Sequence, residues 1–103
     1  MSVKTTTIFT RENSNVLFFI DANDVTTLAD YVKKNYFDTG KIVSRERTLS
    51  EDGLKSTFVV FSKDMGSLEE FVSDQYCINN YFTPLKEYNE QNNISSESLS
   101  ETV

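Results

Sequence analysis

The segment Lys41 to Ser62, KIVSRERTLSEDGLKSTFVVFS, constrains this chain more than any other. Ile42–Leu49 and Leu54–Ser62 are rich in β-branched and aromatic residues, which suit a pleated surface. Asp52-Gly53 lies between them and is a strong hairpin signal, because glycine takes positive φ without a Cβ clash. A four-residue loop sets Leu49 opposite Leu54 and Val43 opposite Val60. Side chains alternate along a strand. One face then carries Val43, Arg45, Arg47 and Leu49 beside Leu54, Ser56, Phe58 and Val60. The other carries Ile42, Ser44, Glu46 and Thr48 beside Lys55, Thr57, Val59 and Phe61. The base of the hairpin is apolar on both faces.

The chain's own helices can cover one of those faces. A small antiparallel sheet with one wet face shows clean alternation, and Phe58-Val59-Val60-Phe61 breaks it. A contiguous apolar patch marks an interface. The sequence therefore predicts a homodimer through the far face, with Ile42, Ser44, Val59 and Phe61 at the contact. Arg45 and Arg47 share a strand face, and are candidates to contact an anion or a protein partner; surface ion pairing is the plainer role for them.

Val3–Thr10 reads as a first strand. Val16–Ile20, VLFFI, is an apolar run too short for a free-standing helix, and reads as extended. Asp21-Ala22-Asn23-Asp24 can start a helix, and Val25, Leu28, Ala29, Val32 and Tyr36 keep helical spacing. Ser67-Leu68-Glu69-Glu70 matches a capping box, and Leu68, Phe71, Val72, Ile78 and Phe82 follow it. Pro84 breaks that helix, and Thr83-Pro84 opens a shorter one. The polar stretch after Ile94 lacks periodicity. The expected domain is residues 1–94, with 95–103 a disordered acidic tail. The fold class is α+β: an antiparallel sheet with helices on one face, in βαββα order.

This element order resembles the ferredoxin-like dimeric α+β barrel of the antibiotic-biosynthesis-monooxygenase-like group. The resemblance implies two subunits packed sheet against sheet, and a cavity between helices and sheet for a small molecule. Asn35-Tyr36-Phe37-Asp38-Thr39-Gly40-Lys41-Ile42, followed by the Arg-rich strand and the Glu51-Asp52-Gly53 turn, is also similar to small proteins of tailed marine phages. That likeness implies a virion component or accessory protein, and no activity.

The chain has 103 residues, no His, no Trp and one Cys, with a formal charge of −6. Without His, the usual Ser-His-Asp and Cys-His nucleophiles and His-bearing zinc sites are excluded. Three glycines make no phosphate loop. Asp21–Val25 fails as a calcium loop, since the fifth position is Val and no Gly follows. Glu69 and Glu70 point apart on a helix, and suit its first turn rather than paired acid–base work. The acidic balance disfavours nucleic acid and anionic membranes as partners. A lone Cys77 and the lack of a long apolar run set the expected compartment as reducing and soluble: the cytoplasm, or a host cytoplasm or virion for a phage protein. The sequence favours a non-enzymatic homodimeric structural or interaction module without cofactors. The alternative is a small-molecule binder or monooxygenase-like protein that uses the helix–sheet cavity.

Overall fold

The computed structural model describes residues 2–103. In chain order the elements are β1 (Val3–Thr10), α1 (Phe19–Ala22), α2 (Thr26–Val32), β2 (Ile42–Leu49), β3 (Lys55–Ser62), α3 (Met65–Ser73), α4 (Gln75–Cys77), α5 (Thr83–Gln91) and β4 (Ser95–Thr102). The strands form one antiparallel sheet in the order β2-β3-β1-β4. Wide π turns extend α2 through Lys33–Phe37 and join α4 to α5 through Ile78–Phe82.

The expected βαββα order therefore lacks one strand. Ser95–Thr102 is no disordered tail: it pairs with β1 from Val3↔Thr102 to Thr10↔Ser95. All eight of its residues are exposed, so no apolar pattern announced it. Backbone pairing holds it, helped by hydroxyl contacts Thr5–Ser100 at 2.8 Å and Thr7–Ser98 at 3.1 Å. Asn93, at φ 55°, turns the chain out of α5. The Ile94 N–H closes on the Asn89 carbonyl at 2.9 Å, and Ile94 itself is buried. This is the αL-type helix stop, with an apolar residue just beyond it.

The hairpin forms, with two changes of detail. Leu49 pairs with Ser56 rather than Leu54, a register shift of two residues, and β3 starts at Lys55. A bulge lies between Ile42 and Ser44, and Ile42 pairs with Ser62. The extra residue turns Ile42 to the helix side, where it is buried with Tyr36 and Cys77, and leaves Val43 62% exposed. Two other expectations shift. Val16–Ile20 is extended only as far as Phe18, after which Phe19–Ala22 forms one helical turn. The cap of α3 is Asp64, whose carboxylate accepts the Ser67 N–H at 2.7 Å, and not Ser67. Pro84 does sit in the first turn of a new helix.

The helices cover one sheet face over two apolar clusters. Phe9, Phe18, Phe58 and Ile94 form the first. Tyr36, Ile42 and Cys77 form the second, flanked by Val60, Phe71 and Phe82. Asp74 ties the helices over the second cluster. Its Oδ2 accepts from Tyr31 at 2.8 Å and Tyr36 at 2.5 Å, while Oδ1 caps α4 at the Cys77 N–H. Burial works against the Asp74 charge, but the Tyr36 and Tyr31 hydroxyls outweigh it and hold the carboxyl below its ordinary value. The same bond to Asp74 pushes the Tyr31 phenol up to about 12.

Gly53 has φ +74°, and a Cβ there would meet only ordinary contact with the Arg11 guanidinium at 3.5 Å. The cost of a side chain is therefore in the backbone. Gly53→Val should lower unfolding free energy by about 1 kcal/mol or more; wild-type stability in urea would refute the assigned turn. For Asp74 the sign is fixed by its depressed folded pKa. Its contribution is fully present above the unfolded carboxylate value and lost as pH falls through the folded one. Asp74→Asn should cost about 1 kcal/mol at neutral pH. The difference from wild type should shrink as pH drops below about 3.9; a gap independent of pH would contradict this account.

Candidate functional site

Strand β3 has two working sides. Away from the helices, the register places side chains in rows across the sheet. One row is Ser44, Phe61, Lys4 and Glu101. The next is Glu46, Val59, Thr6 and Leu99. The third is Thr48, Thr57, Ile8 and Glu97. Phe61, Val59 and Ile8 are half-buried, and Leu99 is 64% exposed. No helix among the described residues covers this face. Of the four residues expected at an interface, Ser44, Val59 and Phe61 lie here together, while the bulge takes Ile42 to the opposite side. Sequence reasoning missed Ile8 and Leu99. Leu99 carried a signal, since it alternates with Glu97 and Glu101 at the two-residue period of a strand.

On the helix side, Phe9, Phe18, Phe58, Tyr81, Leu85 and Asn89 surround a gap of about 10 Å³. Phe9 and Phe58 meet edge to face at 5.9 Å between centroids. A space of this size holds about one water molecule. Burial pushes the Tyr81 phenol up, and the nearby Arg45 charge opposes that. Asn89 is 8% exposed.

The two arginines of β2 part company here. Arg47 donates from Nε to the Ser56 hydroxyl at 3.0 Å, and grips both Asp21 oxygens at 2.9 and 2.7 Å. That hydrogen bond chiefly lowers the Asp21 pKa. Arg45 lies 4.7 Å over the Phe58 ring and makes no hydrogen bond or ion pair among the described residues. Tyr81 and Asn89 were not singled out by the sequence, because only the packing of α5 and the second π turn on the sheet brings them to the gap beside Phe58. Cys77 is fully buried and its thiol is pushed up to about 11 by that burial, which makes it a packing residue rather than a nucleophile.

No helix among the described residues is long and apolar enough to cross a membrane. No family model and no curated protein sequence matches the chain. Solved structures do match. A dimeric ferredoxin-like protein from an uncultured marine organism superposes with TM-score 0.61 at 12% identity, over 99% of this chain and 94% of that one. SnoaB, a cofactor-independent oxygenase from Streptomyces nogalater, gives 0.62 at 12% identity, over 99% and 92%. The de novo designed protein Foldit4 gives 0.54 at 8% identity, over 100% and 99%. A natural enzyme and a designed chain thus share this architecture, so the likeness carries the fold and not an activity: the chain has a ferredoxin-like α+β fold.

Proposed function

We propose that the protein is a non-enzymatic homodimeric structural or interaction module, joined through the sheet face that its helices leave bare. The observation that carries this reading is the cluster of Phe61, Val59, Ile8 and Leu99 on that face. Burying a side chain such as Val59 or Phe61 is worth about 1.5–3 kcal/mol relative to exposure. At about 4.8 Å between strands and about 3.3 Å per residue, the sheet presents about 500 Å². Two such faces bury about 1,000 Å², the lower bound for a specific interface. A twofold, self-complementary contact is the commonest arrangement. The marine ferredoxin-like neighbour is described as dimeric, which supports the reading. A place in a phage particle rests on the sequence likeness alone.

Light scattering over a range of concentrations tests the dimer. The wild type should approach twice the mass of one chain. Val59→Glu and Phe61→Glu should each give monomer or aggregate, because a charge would be buried without a partner. A wild-type monomer throughout, or a dimer untouched by both changes, sinks the reading.

A second reading is a small-molecule site in the helix–sheet gap, supported by SnoaB among the neighbours and by Arg45, Tyr81 and Asn89 around Phe58. The gap has a volume of only about 10 Å³, so a planar ligand must displace lining side chains to enter. Titration with 2-naphthoate, an aromatic carboxylate suited to Arg45, decides it. Saturable chemical-shift changes at Phe18, Tyr81 and Asn89, lost in Arg45→Gln, would support this reading over the first; no such change removes it.

A further inference from the structure

A second, larger cleft lies wholly within the helix layer. It has a volume of about 270 Å³, between the α1–α2 corner and the run from α4 to α5, and no sheet residue lines it. Phe19, Tyr76 and Pro84 contribute apolar wall, and Asn23, Asp24 and Asn80 contribute polar groups. The Tyr76 ring is held by stacking on Tyr31 at 4.0 Å, and Tyr31 is anchored in turn on Asp74. That wall is therefore fixed in advance of any ligand.

The hydrogen bonds already made around the cleft decide what it can take. The Asn23 amide donates to the Phe19 carbonyl at 2.9 Å, and the Asn80 amide donates to the Tyr76 carbonyl at 2.9 Å. Each bond uses one of the two amide N–H donors and leaves Oδ1 as an acceptor. Asp24 Oδ1 accepts the Thr26 N–H at 3.0 Å, and Oδ2 has no partner among the described residues. Hydrogen bonding from the Thr26 side chain and N–H holds the Asp24 carboxyl below its ordinary value. What remains is the Asp24 carboxylate oxygen, the one charged group of the lining, with two amide oxygens, the second N–H of each amide, the Thr27 hydroxyl and aromatic walls. Ammonium and guanidinium groups carry donors only, and aromatic faces attract them. A hard cation such as calcium needs six or more oxygens, more than these apolar walls leave room for. The net charge of −6 draws cations toward the molecule as a whole.

We propose that this cleft binds the cationic head of an alkylguanidinium or alkylammonium group. The group comes either on a free small molecule or as the Arg or Lys side chain of a protein partner. The site is separate from the sheet face and shares only Phe19 with the helix–sheet gap.

Two-dimensional amide chemical-shift mapping of the full chain tests it, with agmatine, N-acetylarginine amide and the neutral N-acetylcitrulline amide as probes. The two cations should give saturable shifts confined to Asn23, Thr27, Asn80 and their neighbours, and the citrulline compound none. Asp24→Asn keeps an acceptor for the Thr26 N–H, yet should weaken binding about tenfold through loss of the charge. Asn80→Ala, at an exposed helical position, should weaken it less. Tighter binding of agmatine than of the arginine amide assigns the free small molecule, and the reverse order assigns the polypeptide side chain. The proposal is overturned by the absence of saturable shifts up to about 20 mM, by equal binding of the citrulline compound, or by indifference to both substitutions.

Discussion

Everything in this fold depends on a strand that is apolar on both sides. Phe58 and Val60 of β3 point to the helices, and Val59 and Phe61 point away. β3 lies inside the sheet, between β2 and β1, so both of its faces need cover if its apolar area is to leave water. The helix layer answers for one side: α5, α1 and the segment around Phe18 close over Phe58, while α2, α3 and the second π turn close over Val60. The other side has only the neighbouring strands around it, with Glu46 on one edge of the sheet and Glu97 and Glu101 on the other. An apolar centre with a charged rim is the anatomy of an association surface.

The hairpin shows what the sequence makes legible and where it stops. From Arg45 onward the face assignments read from alternation agree with the register, because the two-residue error in pairing preserves parity. A slip of one would have reversed every face. The bulge was not legible. Ile42 and Val43 are adjacent apolar residues, so either could be the inward one, and a periodic pattern carries no mark of an extra residue between them. Packing decides it: Ile42 enters the space beside Tyr36 and Cys77. Val43 is left outside next to the free-face row that begins at Ser44.

β4 fails differently. Sequence patterns report burial, and Ser95–Thr102 buries no side chain. Its information is in the backbone, which seeks partners because unpaired N–H and C=O groups are costly wherever water is excluded. The open edge of β1 supplies them, and the Asn93 turn with buried Ile94 aims the chain at it. The candidate surfaces divide in the same way. Val59 and Phe61 were legible, since they break an alternation that a one-sided sheet would keep. Tyr81, Asn89 and the outer cleft were not, since each needs residues from two or more separate segments to meet.

The arginines show how hydrogen-bond accounting separates structure from function. Three of them surround the same aromatic pair. Arg11 lies 4.5 Å over Phe18 and donates to the Gly53 and Val16 carbonyls, fastening the loop after β1 to the hairpin turn. Arg47 bridges β2 to Asp21 of α1 and so fastens the helix layer to the sheet edge. A planar guanidinium gripping both oxygens of a carboxylate has few donors left for another anion. The sequence grouped Arg45 and Arg47 as candidates for an anion or partner contact, with surface ion pairing the plainer role. The structure makes Arg47 a clamp and leaves Arg45 alone with its donors toward solvent and its plane over Phe58. Of the guanidiniums at these two rings, Arg45 is the one whose donors are not engaged by the described residues of the protein, and it sits over Phe58.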